Sequence, residues 1–277
     1  MPLDGFLIID KPPKVISHEL TTWLKKLLKV KTGHAGTLDP DVTGVFPVAL
    51  GKSTKLLQYI SSNDKTYIGI IKFKNKQIDD SEIKNLFSEF TGKIWQVPPT
   101  MSAVKKVKRK RTVYSLDFLE RDGPFVLFKT KVEAGTYIRT LCEDIGKKCG
   151  GARMEELRRI AVGDINEKQA IKLHKLVDFC KSGKLQEIII PPDSLIKFPK
   201  VEINKHTIEP LLNGATITKY GIVKCERFGV EELVSVYYNN TFVGVGLSLV
   251  RSKEIDTMKS GFVIKMKRTH ATKSQLL

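Results

Sequence analysis

Apolar residues recur along this chain at two different periods, and the period changes from one stretch to the next. Gly5-Phe-Leu-Ile-Ile9 is a short unbroken apolar run and reads as a buried strand. Leu20, Trp23, Leu24, Leu27 and Leu28 then form one stripe at helical spacing, with Ser17 ahead of it as the expected N-cap. Residues 67–74, with Ile68, Ile70, Ile71 and Phe73, return to strand character. Ile83, Leu86, Phe87 and Phe90 share a helical face over residues 81–90. Residues 112–118 and 125–132 read as strands, and Ile138, Leu141, Cys142 and Ile145 make a further helical stripe over 137–145. Strands and helices do not alternate regularly, so the pattern predicts a mixed α+β fold rather than a doubly wound one.

Residues 182–199 carry Pro191, Pro192 and Pro199 and no long period, which places a domain junction there. Beyond it the texture is β-rich, over 215–218, 232–238, 241–250 and 262–266. Asn239-Asn240 suits a two-residue hairpin turn between two of these runs. The expected domains are residues 1–195 and 196–277, within a length that accommodates two cores.

Charge narrows the choice of partner. The chain carries a formal +17, and such an excess favours polyanions through counterion release, with nucleic acid the first candidate. Lys105, Lys106, Lys108, Arg109, Lys110 and Arg111 concentrate that charge in seven residues, between Pro98-Pro99 and a strand-like segment. The expected structure is a basic loop lying against an RNA backbone. Cys142, Cys149, Cys180 and Cys225 form no C-x-x-C pair, and the five histidines form no H-x-x-x-H pattern, which argues against zinc. With no signal peptide and no membrane-length apolar run, the expectation is a soluble, reduced, cytoplasmic protein, nucleolar if the source is eukaryotic.

One short block carries candidate chemistry: Gly36-Thr-Leu-Asp-Pro-Asp-Val-Thr-Gly44. Proline fixes its own φ and pushes the preceding residue out of the helical region, so Asp39 should stand on a stiff extended turn with a flexible glycine on each side. A carboxylate held that way can face a bound substrate, although Asp-Pro is also common in plain surface turns.

The wider context separates those readings. Lys31 to Leu50 resembles the catalytic block of the TruB/dyskerin family of pseudouridine synthases. So, in the family's order, do Asp4-Gly-Phe-Leu-Ile-Ile-Asp-Lys-Pro-Pro13, Ser17-His-Glu19, Thr91-Gly92, Pro98-Pro99 with Ser102-Ala103-Val104-Lys105, Gly135-Thr-Tyr-Ile-Arg-Thr-Leu-Cys142 and Met154-Glu-Glu-Leu-Arg-Arg159. His206-Thr-Ile-Glu-Pro-Leu-Leu-Asn-Gly-Ala-Thr-Ile217 resembles the opening of a PUA domain, a small RNA-binding β-barrel.

The resemblance implies a mainly antiparallel-sheet catalytic domain with a C-terminal PUA domain. It implies isomerisation of uridine to pseudouridine in rRNA or tRNA, with no metal or organic cofactor. It assigns catalysis to Asp39, to Arg139 as its partner and to Tyr67 as an aromatic against the base; Leu157 would line the uracil pocket. His34 would contact RNA or pack, and Lys11, with Pro12-Pro13, would belong to a motif near the cleft. Asp144 reads as a helix-surface or Arg-pairing residue. Lys14 departs from the family, which usually has glycine there.

The motifs lean toward the archaeal dyskerin-like branch, in which H/ACA guide RNAs direct the enzyme. That branch works with small partners: a zinc-ribbon-type protein, a glycine/arginine-rich-type protein and a kink-turn-binding ribosomal protein. Two features depart from it. The Lys-Pro-Pro motif is reached by residue 11, without the usual N-terminal extension that wraps the PUA domain, and residues 72–78 lack the usual Leu-His-Arg pattern. A reduced dyskerin-like enzyme is the first reading and a stand-alone tRNA TΨC-loop enzyme the second. A catalytically silent RNA-binding scaffold is the third.

Overall fold

A computed structural model describes residues 3–75, 77–99 and 105–276. Ser102, Ala103 and Val104, part of the Pro-Pro block above, lie outside the described residues. The chain divides into two compact units, one over residues 7–49 and 57–188, the other over 1–6, 50–56 and 189–277.

The first unit is built on one sheet. Its strands are β1 (Gly5–Lys11), β2 (Thr32–His34), β3 (Thr43–Leu50), β4 (Lys65–Phe73), β5 (Gly92–Gln96), β6 (Arg109–Asp122), β7 (Phe125–Val132), β8 (Ala152–Val162) and β9 (Ile165–Asn166). Its helices are α1 (Ser17–Leu28), α2 (Leu57–Ser61), α3 (Asp80–Glu89), α4 (Ile138–Lys148) and α5 (Leu173–Lys181). The strand order is β1-β3-β8-β4-β7-β6-β5, with β2 on β3 and β9 on β8. β3 runs parallel to β8, while β4 is antiparallel to both β7 and β8.

Pleating decides what β4 presents. Lys65, Tyr67, Gly69, Ile71 and Phe73 are buried, while the alternate residues are partly exposed. Across the ladder Tyr67 faces Arg159 and Gly69 faces Leu157. Gly69 permits the close approach: a Cβ there would come within 2.8 Å of both Leu157 Cδ1 and Phe128 Cζ.

Several local expectations change. Ile16, not Ser17, holds the N-cap position of α1, and no side chain caps that helix. Trp23 leaves the expected stripe and is 39% exposed; Leu20, Leu24 and Leu28 are the buried members. The basic segment is a loop only up to Lys108, because Arg109, Lys110 and Arg111 pair with Gln96, Trp95 and Ile94 as part of β6. Sheet pairing there overrides the polarity of the side chains, which alternate off the ladder. Leu157 lies on β8.

The second unit comprises α6 (Pro192–Leu195), β10 (Lys200–Ile203), α7 (Ile208–Leu212), β11 (Ile217–Thr218), β12 (Ile222–Cys225), β13 (Leu233–Tyr238), β14 (Thr241–Ser248), β15 (Phe262–Thr269) and α8 (Lys273–Leu276). Its sheet, ordered β11-β15-β14-β13-β10-β12, is antiparallel except where β10 meets β13, and it forms a near-barrel. Val201, Val234, Val236, Val243 and Val263 fill the core with Ile203, Ile208 and Ile264. Asn239 and Asn240 both take positive φ, 46° and 60°, as the expected hairpin turn requires.

Candidate active site

The segment 36–44 has little regular structure, yet side chains from three elements hold it. The Ser17 hydroxyl of α1 donates to the Leu38 carbonyl at 2.6 Å and accepts from the Leu38 N–H at 3.0 Å. The Lys11 ammonium of β1 donates to the carbonyls of Pro40 and Val42, each at 2.9 Å, and to that of Pro12 at 3.1 Å. The Arg159 guanidinium of β8 donates through Nη2 to the Gly36 carbonyl at 3.1 Å and through Nε to the Val45 carbonyl at 2.8 Å. The Val42 N–H closes an Asp39–Val42 turn onto the Asp39 carbonyl at 3.1 Å. Gly36 and Gly44 take φ of +90° and +103°, and a Cβ at Gly44 would overlap the Arg159 carbonyl oxygen. The result is a rigid turn that leaves the Asp39 carboxylate half exposed.

Among the described residues, that carboxylate makes one ion pair. Arg139 Nη2 donates to Asp39 Oδ2 at 2.8 Å, with both side chains about half accessible. Arg139 sits in the first turn of α4, whose start is fixed by buried Gln96 of β5. The Gln96 amide donates to the Tyr137 carbonyl and accepts from the Tyr137 N–H, both at 3.0 Å. Asp144, also on α4, pairs with Lys147 at 2.6 Å rather than with an arginine.

Tyr67 and Leu157 are both 8% exposed and lie on the buried face of adjacent strands. Tyr67 lies across the β4–β8 ladder from Arg159, which is 1% exposed. Lys65, two residues before Tyr67, is buried and donates to the carbonyls of Ser61 and Asn63 at 2.5 Å each. Burial, reinforced by the Arg159 charge, pulls its ammonium down to about 8. Burial also lowers the pKa of Lys11, partly offset by Asp41 and Asp39, and that of Arg159. His34 packs its ring on Phe46 at 5.1 Å and buries Nδ1 without a hydrogen-bond partner. Burial, then the charges of Arg159 and His18, lowers its pKa.

Residues 25–138 match the model of the TruB family pseudouridylate synthase N-terminal domain, 139–197 that of the tRNA pseudouridylate synthase B C-terminal domain, and 199–270 that of the PUA domain. A "Probable tRNA pseudouridine synthase B" of Pyrobaculum aerophilum is 39% identical over 276 residues, covering 95% of this chain and 83% of its own. Its namesake from Methanocaldococcus jannaschii is 38% identical over 278 residues, covering 96% and 82%. The chain belongs to the TruB family of pseudouridine synthases. Among solved structures it is similar to a chain of a Cbf5-Nop10-Gar1 complex, with a TM-score of 0.88, 35% identity and coverage of 98% of this chain and 86% of that one. A chain of an archaeal box H/ACA sRNP Nop10-Cbf5 complex gives 0.86 and 32%, covering 99% and 88%.

The TruB-family motifs thus converge in space as well as in sequence order. The structure brings Asp39, Arg139 and Lys11 together around one turn and places Tyr67 across the ladder from Arg159, which also holds that turn. Leu157 follows on the Tyr67 face, and His34 lies on the strand leading into the turn. Lys105, Lys106, Lys108 and Lys110 are exposed; Arg109 is half-buried, and Arg111 is half-buried and pairs with Glu133 at 3.4 Å. Lys14, the departure from the family pattern, has a φ of 61°, the conformation that glycine adopts freely.

Sequence reasoning gave no separate role to Ser17 beyond capping, to Gln96 or to Arg159. Strand alternation was the available signal for Arg159: with Leu157 facing inward, Arg159 faces inward too.

Proposed function

We propose that the turn at Asp39 isomerises uridine within RNA, under the direction of an H/ACA-type guide. The observation that carries this reading is a half-exposed carboxylate, bonded to Arg139 at 2.8 Å, on a turn held by Lys11, Ser17 and Arg159. Isomerisation breaks the bond from ribose C1′ to N1 of uracil and forms one to C5. The C5 proton leaves and N1 gains a proton, so nothing is consumed. An ionised Asp39 acts as nucleophile or base at the sugar, and Arg139 keeps it charged and oriented. The target nucleotide must leave its stack to reach the turn, where the Tyr67 ring and Leu157 receive the base. His34 contributes by packing, Lys11 by holding the turn, and the residues from Lys105 to Arg111 by contacting phosphates.

Guide direction is supported by the likeness to chains of H/ACA complexes, one of them an H/ACA RNP bound to a substrate RNA. The partners proposed on that basis are RNA and small proteins of the kinds seen in those assemblies, with the zinc-ribbon, glycine/arginine-rich and kink-turn-binding types as the specific expectation. The PUA domain anchors RNA. All four cysteines are free, in keeping with a reducing cytoplasmic compartment. A second reading, direct modification of the tRNA TΨC loop, is favoured by the names of the sequence relatives.

Mapping modified positions in bare tRNA and in a guided target separates the two. The guided reading expects turnover at the guide-specified uridine only when guide and partner proteins are added. Robust modification of bare tRNA that no guide redirects would replace it with the stand-alone reading.

A further inference from the structure

Helix α4 begins without a side-chain cap of its own. Tyr137, its N-cap residue, is extended, with φ −95° and ψ 107°, and makes no capping hydrogen bond through its side chain. The first backbone groups of a helix need partners from outside it. Gln96, the last residue of β5 and 2% exposed, reaches across to Tyr137: its Nε2 donates to the Tyr137 carbonyl and its Oε1 accepts from the Tyr137 N–H, both at 3.0 Å. The same carbonyl accepts from the Leu141 N–H at 3.0 Å, at the start of the helix's own ladder. A carbonyl has two lone pairs, so both donors fit. The amide can face only this way round, because a reversed one would set donor against donor and acceptor against acceptor.

We propose that Gln96 is a positioning residue for the reaction, setting the Arg139 guanidinium against Asp39 by fixing where α4 begins. Arg139 stands two residues after Tyr137, and its half-exposed guanidinium bonds Asp39 Oδ2 at 2.8 Å. Solvent gives such a head little hold, so its place follows from the helical turn that carries it. The chain just before that turn is clamped from β6. Arg111 pairs with Glu133 at 3.4 Å, and Glu133 accepts from the Thr112 N–H at 2.9 Å. Gly135, at φ +82°, runs so near Arg111 that a Cβ there would come within 3.2 Å of Nη2. Gln96 extends this clamp onto the helix itself. A displacement of about 1 Å at a reacting group can cost on the order of a hundredfold in rate. The proposal rests on the reading of Arg139 as the partner of Asp39 and adds the residue that places Arg139.

A double-mutant cycle tests it, with Gln96→Met, Arg139→Lys and the pair compared in single-turnover reactions at saturating RNA, guide and partner proteins present. Methionine keeps the length of glutamine but offers neither the amide donors nor its oxygen acceptor. If Gln96 acts through Arg139, Gln96→Met slows the wild-type background at least about tenfold and the Arg139→Lys background less than about twofold, with RNA affinity within about threefold of wild type. No loss in the wild-type background, or equal losses in both, would overturn the proposal.

A second readout is independent of catalysis. The Nε–Hε resonance of Arg139 in nitrogen-labelled, RNA-free protein, identified by its absence from Arg139→Lys, should move in Gln96→Met. An unmoved resonance contradicts the link. Gln96→Glu, which when ionised keeps the acceptor for the Tyr137 N–H and loses the donor to its carbonyl, replaces the methionine variant if that one melts early; failure of both to fold would make the residue structural and sink the proposal. Wild-type inactivity on every RNA tried would defeat the catalytic reading alone, leaving the resonance to decide the Gln96–Arg139 link.

Discussion

The two units bury different kinds of group. Among the described residues, the PUA unit buries only neutral hydroxyls and one imidazole, with Ser235 and Ser248 in the sheet and His270 bonded to Ser53 at 3.0 Å. Burial lowers the pKa of His270. The catalytic unit buries three cations, Lys11, Lys65 and Arg159, whose hydrogen bonds go to backbone carbonyls rather than to carboxylates. Buried charge is costly unless it is fully hydrogen-bonded. The PUA unit is built on an apolar near-barrel core. In the catalytic unit two of these cations, Lys11 and Arg159, supply donors to an irregular turn that has no ladder to hold it, and Lys65 does the same for the carbonyls of Ser61 and Asn63.

Removing the chemistry while keeping this frame gives the largest expected effect. Asp39→Asn preserves the turn but not the charge, and single-turnover product formation should fall by roughly four orders of magnitude, with RNA affinity within about threefold of wild type. Retained turnover would show that the frame serves something other than Asp39.

Arg139→Lys comes next. The Asp39–Arg139 pair is half exposed, so its loss should alter stability by less than about 1 kcal/mol. Misplacing the carboxylate should still slow the reaction on the order of a hundredfold. A variant that loses activity only in proportion to early melting would make the pair structural.

The PUA core should behave in the opposite sense. Ile264 is fully buried, and Ile264→Ala should destabilise its unit by about 2–5 kcal/mol in denaturant melts. Its single-turnover rate at saturating RNA should be unchanged below the melting range. A matching loss of rate would break the separation drawn between the units.

These expectations also mark what was legible in the chain. The stiff turn at Asp39 and the Asn239-Asn240 turn were readable because each depends on a local pattern whose geometry follows from residue type, whereas Arg139 was reached only through the family resemblance. Ser17 was misread because its hydroxyl has two possible uses, and only the folded chain places Leu38 within its reach. The strand from Arg109 was hidden because β5, more than ten residues earlier, recruits a segment whose composition reads as a loop. Arg159 escaped because an arginine is ordinarily a surface group, and its burial depends on carbonyls more than a hundred residues away in sequence.

Smaller effects probe the frame itself. Lys65 has a folded pKa of about 8, below the ordinary lysine value, so between those two pH values the unfolded chain binds more protons. Stability should therefore rise as pH increases from about 8 to about 10, and Lys65→Met should flatten that rise in thermal melts. An identical slope in the variant would remove Lys65 from the buried set. Smallest of all, Lys14→Gly relieves a left-handed φ of 61° and should stabilise the catalytic unit by up to about 1 kcal/mol, whereas destabilisation would mean that the Lys14 side chain holds the loop.

The most direct test of the central claim is tritium release from RNA carrying 5-tritiated uridine, comparing wild type with Asp39→Asn at matched RNA occupancy. Forming the bond to C5 expels that hydrogen, so the wild type should release one tritium for each uridine converted, and Asp39→Asn none above background. Equal release by both proteins, or none by wild type with guide and partner proteins present, would contradict the account.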